Sequence, residues 1–262
     1  MTTILDRILD TKRREIGLAE QRLPLRDIRA SLDVAPPVRS LGGTLGKAES
    51  AVPRVIAELK KASPSEGVIR PSFTPVSLAL TLERNGAAAL SVLTDTAYFQ
   101  GGLNNLRAAR RVVGIPVLRK DFIISEYQVY EARAAGADAI LLIAAAVDAE
   151  RFARLHALAS QLGMEVLAEA HNHRELDMVL EAGAVIVGIN SRDLKTFCTD
   201  LDAMADLLRL IPSTCVRVAE SGVHDHTDIL RLREAGADAF LVGTQLMRAR
   251  DPGAELAQLL GK

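Results

Sequence analysis

EAGADAFLVGT (Glu234 to Thr244) repeats a pattern already set three times upstream, as RNGAAALSVLT (Arg84 to Thr94), AAGADAILLIA (Ala134 to Ala144) and EAGAVIVGINS (Glu181 to Ser191). Each copy reads as the same joint. A helix ends on a glycine able to adopt the left-handed conformation, a short turn follows, and an apolar, β-favouring run begins. Gly86, Gly136, Gly183 and Gly236 are spaced by 50, 47 and 53 residues. Each interval has room for two βα units and contains a further strand candidate.

Working outward from these joints yields eight short runs: PRVIAELK, AALSVLTD, IPVLRKD, AILLIAA, MEVLAEA, AVIVGIN, CVRVAES and AFLVGT. They are apolar nearly throughout, as strands buried on both faces of a parallel sheet must be. Helix-period segments lie between them, such as SEYQVYEARAAG (Ser125 to Gly136) and DHTDILRLREAG (Asp225 to Gly236). Eight strands alternating with helices within about 210 residues specify an α/β fold of the (β/α)8 TIM-barrel type, placed at residues 53–262. An open doubly wound sheet is the alternative. It normally has fewer strands and often a glycine-rich first turn, and no GxGxxG occurs here.

Residues 1–52 precede the first strand. Thr3 and Asp6 have the spacing of N-cap and N3, which predicts a helix from Thr3 to about Glu20. Within it, Lys12, Arg13 and Arg14 read as a solvated face, since three charges without interleaved aromatics make a poor nucleic-acid stripe. Leu32 to Val52, rich in Gly, Pro and Ser, is expected to loop toward the barrel.

Composition excludes several classes of function. The chain of 262 residues is 48% hydrophobic and 25% charged, enough to bury a large core. With 32 Lys plus Arg against 33 Asp plus Glu, it has no bulk attraction for nucleic acid or an acidic membrane, so an anionic substrate must be recognised locally. No signal-peptide h-region and no run of about eighteen apolar residues occurs, which points to a soluble cytoplasmic protein. Cys198 and Cys215 form no CxxC pattern and fit a reducing compartment.

Barrel active sites form where the strands end. Glu58 and Lys60, two residues apart, share one side of the first strand and are expected to point into the mouth. Arg119-Lys120-Asp121 ends the third strand and Glu169 the fifth; Asn190, with Arg192 two residues on, ends the sixth, and Glu220-Ser221-Gly222 the seventh. Salt bridges that merely close the barrel are the bland reading of each residue taken singly. That reading is weaker for the whole set, because charged groups in a half-buried mouth are costly unless paired or used. Two lysines, an arginine and carboxylates together suit anion binding combined with acid–base chemistry. Ser221-Gly222 and Gly243-Thr244, after the last two strands, offer backbone N–H groups and hydroxyls where barrels commonly hold a phosphate.

His171-Asn172-His173 and His224-Asp225-His226 raise the question of a metal. Both pairs fall where the next helix begins, and residues two apart on a helix do not share a face, so no metal is expected. No P-loop, GxSxG elbow or kinase signature occurs.

ELKKASPSEG (Glu58 to Gly67), LRKDFI (Leu118 to Ile123), VLAEAHN (Val166 to Asn172), GINSRDL (Gly188 to Leu194), AESGV (Ala219 to Val223) and FLVGT (Phe240 to Thr244) resemble, in this order, the motifs of the indole-3-glycerol-phosphate synthase family. The likeness spans the chain. It implies a helical N-terminal extension, residues 1–52, packed over the barrel mouth. It also implies conversion of 1-(2-carboxyphenylamino)-1-deoxyribulose 5-phosphate to indole-3-glycerol phosphate, carbon dioxide and water, with no cofactor. Ring closure needs an acid at the developing alkoxide, for which Lys120 is the candidate, while Glu169 and Lys60 suit the later acid and base steps. Glu58 would hold the lysines in place. By the same resemblance Ser63, Asn190, Arg192 and Ser221 orient the substrate, Ser221, Gly222, Gly243 and Thr244 surround the phosphate, and Phe99 with Leu93 shapes an aromatic pocket. The loop from Ser63 to Pro75 is expected to close over the ligand. Thr244 stands where many members have Ser, and Ser40, after Arg39, where an aromatic is usual; the latter bears on the extension's expected contacts with substrate.

Two rival readings remain open on sequence. One is a Schiff-base lyase with Lys120 or Lys60 as the covalent amine. The other is a catalytically silent barrel that binds a phosphosugar.

Overall fold

The computed structural model describes residues 3–46, 52–191 and 199–262. Eight parallel strands close into a barrel: β1 (Arg54–Leu59), β2 (Ala89–Leu93), β3 (Val117–Lys120), β4 (Ala139–Ile143), β5 (Glu165–Ala170), β6 (Ile186–Asn190), β7 (Val216–Glu220) and β8 (Ala239–Val242). Each strand pairs with its sequence neighbours, and β1 closes the ring against β8, with Arg54 opposite Ala239. The joints read from the sequence are present: Gly86, Gly136, Gly183 and Gly236 all have positive φ, where a side chain would be strained.

The barrel helices are α4 (Pro75–Arg84), α5 (Leu103–Val112), α6 (Glu126–Ala134), α7 (Ala149–Gln161), α8 (His173–Glu181), α9 (Leu201–Leu210), α10 (His226–Glu234) and, after β8, α11 (Thr244–Arg248) with α12 (Pro252–Leu259). Alternation along each strand divides the core. Val55, Ala57 and Leu59 pack outward among the helices, while Ile56, Leu118, Leu141, Leu167, Val218 and Leu241 fill the interior. Apolar layers therefore occupy the lower barrel and leave the strand ends to polar groups. No helix among the described residues is long and apolar enough to cross a membrane.

The N-terminal segment departs from expectation in three respects. α1 (Ile4–Arg22) begins on the predicted capping box, with Asp6 N donating to Thr3 Oγ1 at 3.1 Å and Thr3 N to Asp6 Oδ2 at 2.8 Å. Lys12 does not lie on a solvated face, however. It is only 4% exposed, with Nζ 2.9 Å from Asp95 and 3.0 Å from Asp121. Second, α1 alone reaches the mouth; α2 (Leu25–Ala30) lies against α6.

Third, the stretch expected to be loop contains α3 (Leu41–Leu45), which plugs the opposite end of the barrel. Leu41 and Leu45 are fully buried with Ile56, Leu118, Ile186 and Val218. Glu165, at the start of β5, accepts from Gly42 N (2.8 Å) and Ser40 Oγ (3.1 Å). Burying two leucines outweighs the poor helix propensity of the paired glycines Gly42 and Gly43. Ser40 thus caps a helix at the closed end, through Gly43 N, far from where a substrate contact was expected.

Candidate active site

A cavity of about 220 Å³ opens at the C-terminal ends of the strands. One wall is charged. Lys120 Nζ stands 2.9 Å from Glu169 Oε2 and 2.6 Å from Glu220 Oε2, bridging β3 to β5 and β7. Lys60, just past β1, stands 2.8 Å from Glu58. Burial disfavours the charge on Lys120, but Glu169, Glu220 and Glu58 together outweigh it and hold the ammonium well above the ordinary lysine range. The two carboxylates on Lys120 are pushed apart. Burial raises both, yet Lys120 and His171 hold Glu169 far below its usual range, while burial and the neighbouring Glu169 leave Glu220 well above its own. One cation thus stands between two carboxylates shifted in opposite directions from their usual range, the kind of division that acid–base catalysis uses.

Two glycines make this packing possible. Gly188 and Gly243 occupy inward positions of β6 and the end of β8, where a β-carbon would overlap Glu220 Oε1 and Glu58 Oε2 respectively. Gly188→Ala is therefore expected to push Glu220 off Lys120 and to lower kcat/KM roughly tenfold to a hundredfold, the effect of a displacement near 1 Å. Kinetics alongside circular dichroism would check this; turnover within twofold of the parent would show that the Glu220 seat is dispensable.

The remaining candidates fall around this wall. Asn190, Ser221, Gly222, Gly243 and Thr244 line the same cavity, at the ends of β6, β7 and β8. Ser221 has a φ of 67°, a left-handed conformation costly for a serine, and Gly222 follows at 76°. The apolar part of the lining is Leu93, Phe99, Phe122, Ile143 and, from α1, Leu5, beginning beside Lys120, whose strand partner is Leu93. Ser63 lies in an adjoining pocket under α1, lined by Ile4, Leu5 and Ile8, which shares Lys60, Phe99 and Thr244 with the main cavity. Arg192 lies outside the described residues. Residues Ser63 to Pro75 hold a small hairpin, Ala62–Ser63 against Gly67–Val68, that leads into α4.

Arg119 is not part of the converging ring. It turns outward beneath α6 and meets Thr94, the carbonyl of Gln128, Asp121 and Glu131, because it sits one residue out of register with Lys120. Asp121 is tied to Arg119, Lys12 and Thr94 rather than free to act. Three contributors escaped the sequence reading. Glu220 was legible from its place at a strand end but was given no task. Phe122, whose ring lies 6.1 Å from that of Phe99, is flagged only by adjacency to Lys120 and Asp121. Lys12 bears on the site through the strand-end carboxylates, which no local pattern signals. Among the described residues no group of three His, Cys, Asp or Glu converges as a metal site would require.

A family model described as indole-3-glycerol phosphate synthase matches residues 5–259. The chain belongs to the indole-3-glycerol phosphate synthase family. Relatives of that name agree over the whole length. The chain is 48% identical to the protein of Laribacter hongkongensis (strain HLHK9), covering 99% of each, and 47% identical to that of Aromatoleum aromaticum (strain DSM 19018 / LMG 30748 / EbN1), covering 100% of each. Solved structures share the barrel at much lower identity. A 3-hexulose-6-phosphate synthase aligns with a TM-score of 0.64 at 16% identity, over 79% of this chain and 98% of that one. A mutant tryptophan synthase alpha-subunit from Pyrococcus furiosus aligns with a TM-score of 0.59 at 17%, over 80% and 98%. These two likenesses concern the fold alone.

Proposed function

We propose that this mouth closes and decarboxylates 1-(2-carboxyphenylamino)-1-deoxyribulose 5-phosphate to indole-3-glycerol phosphate, as the family name implies. The observation that carries the reading is the pairing of Lys120 with Glu169 and Glu220 in one cavity that also holds Phe99, Phe122, Ser221, Gly222, Gly243 and Thr244. The aryl ring lies on the apolar lining and the phosphate at the serine and glycine end, with Asn190 and Arg192 assigned to orienting the substrate. Ser63 contributes from the adjoining pocket.

The aromatic carbon bearing the carboxylate attacks the ribulose ketone, and Lys120 donates its proton to the oxygen as the carbon–carbon bond forms. Loss of carbon dioxide returns the bonding electrons to the ring. Lys60 protonates the departing hydroxyl, which leaves as water, and Glu169 takes the last proton from carbon to complete the indole. Glu58 holds Lys60 in position. Two protons are given and one is taken, which matches conversion of a carboxylate into neutral carbon dioxide. No cofactor enters this scheme. We place the enzyme in the cytoplasm, acting on a diffusible phosphorylated substrate without nucleic acid or membrane. Residues 53–262 serve as the catalytic barrel and 1–52 as an extension whose α1 walls the aromatic side.

The test is indole formation from the carboxyphenylamino substrate, followed by fluorescence with and without a chelator; the chain has no Trp, so its background is low. Turnover indifferent to chelator is the expected result. Binding without turnover would favour the silent barrel. Borohydride reduction with substrate should leave the protein mass unchanged, and a mass increase would revive the Schiff-base reading.

A further inference from the structure

The chemistry above gives His171 no part, although its ring is buried directly behind Glu169. Nδ1 lies 3.0 Å from Glu175 Oε2, and Nε2 lies 3.3 Å from Glu169 Oε1, within ion-pair distance but outside hydrogen-bond geometry. Glu175 is itself held in place. It accepts from His171 N (2.9 Å) and Asn172 Nδ2 (2.7 Å), and Asn172 Oδ1 in turn caps α8 by accepting from Glu175 N at 3.0 Å.

A neutral imidazole has one N–H and one lone pair, so in either tautomer one of these carboxylates would face a lone pair. Only the imidazolium serves both. Glu169 then meets a cation on each oxygen, Lys120 at Oε2 and His171 at Oε1, whereas Glu220 shares Lys120 and pairs with no second cation among the described residues. Besides Glu169, the charged groups at this corner among the described residues are Lys120 from β3, Glu58 and Lys60 at the end of β1, Glu220 from β7, and His171 with Glu175 at the head of α8. Acids outnumber bases among them, so one carboxylate must yield its charge.

We propose that His171 is the positioning residue that makes Glu169, rather than Glu220, the base of the site, by setting an imidazolium against its second carboxylate oxygen. The inference rests on the reading of Glu169 as the proton acceptor. Burial works against charge on the ring, but Glu169 and Glu175 outweigh it and push His171 up to about 10, so the imidazolium persists through neutral pH. Removing it leaves Glu169 and Glu220 to compete for Lys120 alone. The protonated form of Glu169 gains, and its pKa rises.

Two measurements test this. In ¹⁵N NMR of the intact protein, which has five histidines, one imidazole should keep both nitrogens protonated above pH 8, and that signal should be missing from His171→Asn. In kinetics, the acid limb of kcat/KM should move to higher pH in His171→Asn by about one unit or more, the size of a lost ion pair. His171→Gln, which restores a neutral donor without the charge, should not reverse the shift. A packing role alone would lower activity by the same factor at every pH. A neutral His171 at pH 8, or an unmoved acid limb, overturns the proposal. Glu169→Gln separates the two layers. If it turns over normally, the reading of Glu169 as base fails and this inference with it; if it is inactive while the limb in His171→Asn stays put, the His171 proposal fails alone.

Discussion

Lys120→Ala is expected to lower kcat by at least about a hundredfold, the loss seen when a donor that stabilises developing charge is removed. The ammonium is the only group within 3 Å of both Glu169 and Glu220 among the described ion pairs, so its loss removes the first proton donor and also the tie between two strand ends. Without it two buried carboxylates share no cation, and the pair holds its proton more tightly. The variant should therefore fold with altered pH behaviour, and KM should change less than kcat, since the phosphate end of the cavity is untouched. Steady-state kinetics with circular dichroism would decide the matter. Near-normal turnover would remove Lys120 from the role of acid.

Lys12→Met should cost about 3–5 kcal/mol of unfolding free energy, the usual consequence of removing one partner from a buried charge cluster. Lys12 is 4% exposed, and Asp95 and Asp121 beside it are equally buried. The cluster also sets the aromatic wall. Asp95 Oδ1 accepts from Tyr98 N (2.8 Å) and Phe99 N (3.3 Å), and Asp121 Oδ1 accepts from Phe122 N (2.8 Å). A rise in KM is expected along with the loss of stability. The pH dependence has a definite sign. Burial alone would raise Asp121, but Arg119 and Lys12 hold it down at about 2, so its contribution is complete above about pH 4 and fades as pH falls through 2. In the variant Asp121 keeps Arg119 and Thr94 but loses Lys12, so its folded-state pKa is less depressed and it has less stability to lose as the pH falls. The stability gap between parent and variant should consequently narrow below pH 4. Urea titrations at pH 7 and pH 3 would measure it, and an equal gap at both would show that the Lys12 carboxylate contacts contribute little.

Much of the site was legible because a barrel converts chain position into spatial position. Glu58 with Lys60, Lys120, Glu169 and Asn190 end four different strands, and closure brings them to one rim whatever their separation in sequence. Arg119 shows the limit of reading strand ends as blocks: period-two alternation assigns it to the helix side, and that rule outranks proximity to the rim. Lys12 shows another. Three adjacent basic residues on a polar helix look solvated until a partner surface carrying Asp95 and Asp121 arrives, and nothing within α1 announces that surface.

Local chemistry determined the joints, the capping box at Thr3, the strand count and hence the barrel, since each depends on residues within a few positions of one another: glycines at C′, apolar runs of strand length, helix-period segments between them. Tertiary structure alone decided that α3 would form at all, with Leu41 and Leu45 exchanging solvent for the closed end of the barrel, and that Lys12 would be buried. It also decided that Glu169 and Glu220, chemically identical and both on Lys120, would be shifted in opposite directions from the usual carboxylate range. Burial and electrostatic energies are sums over neighbours brought from all along the chain, and a sequence read locally does not contain those neighbours.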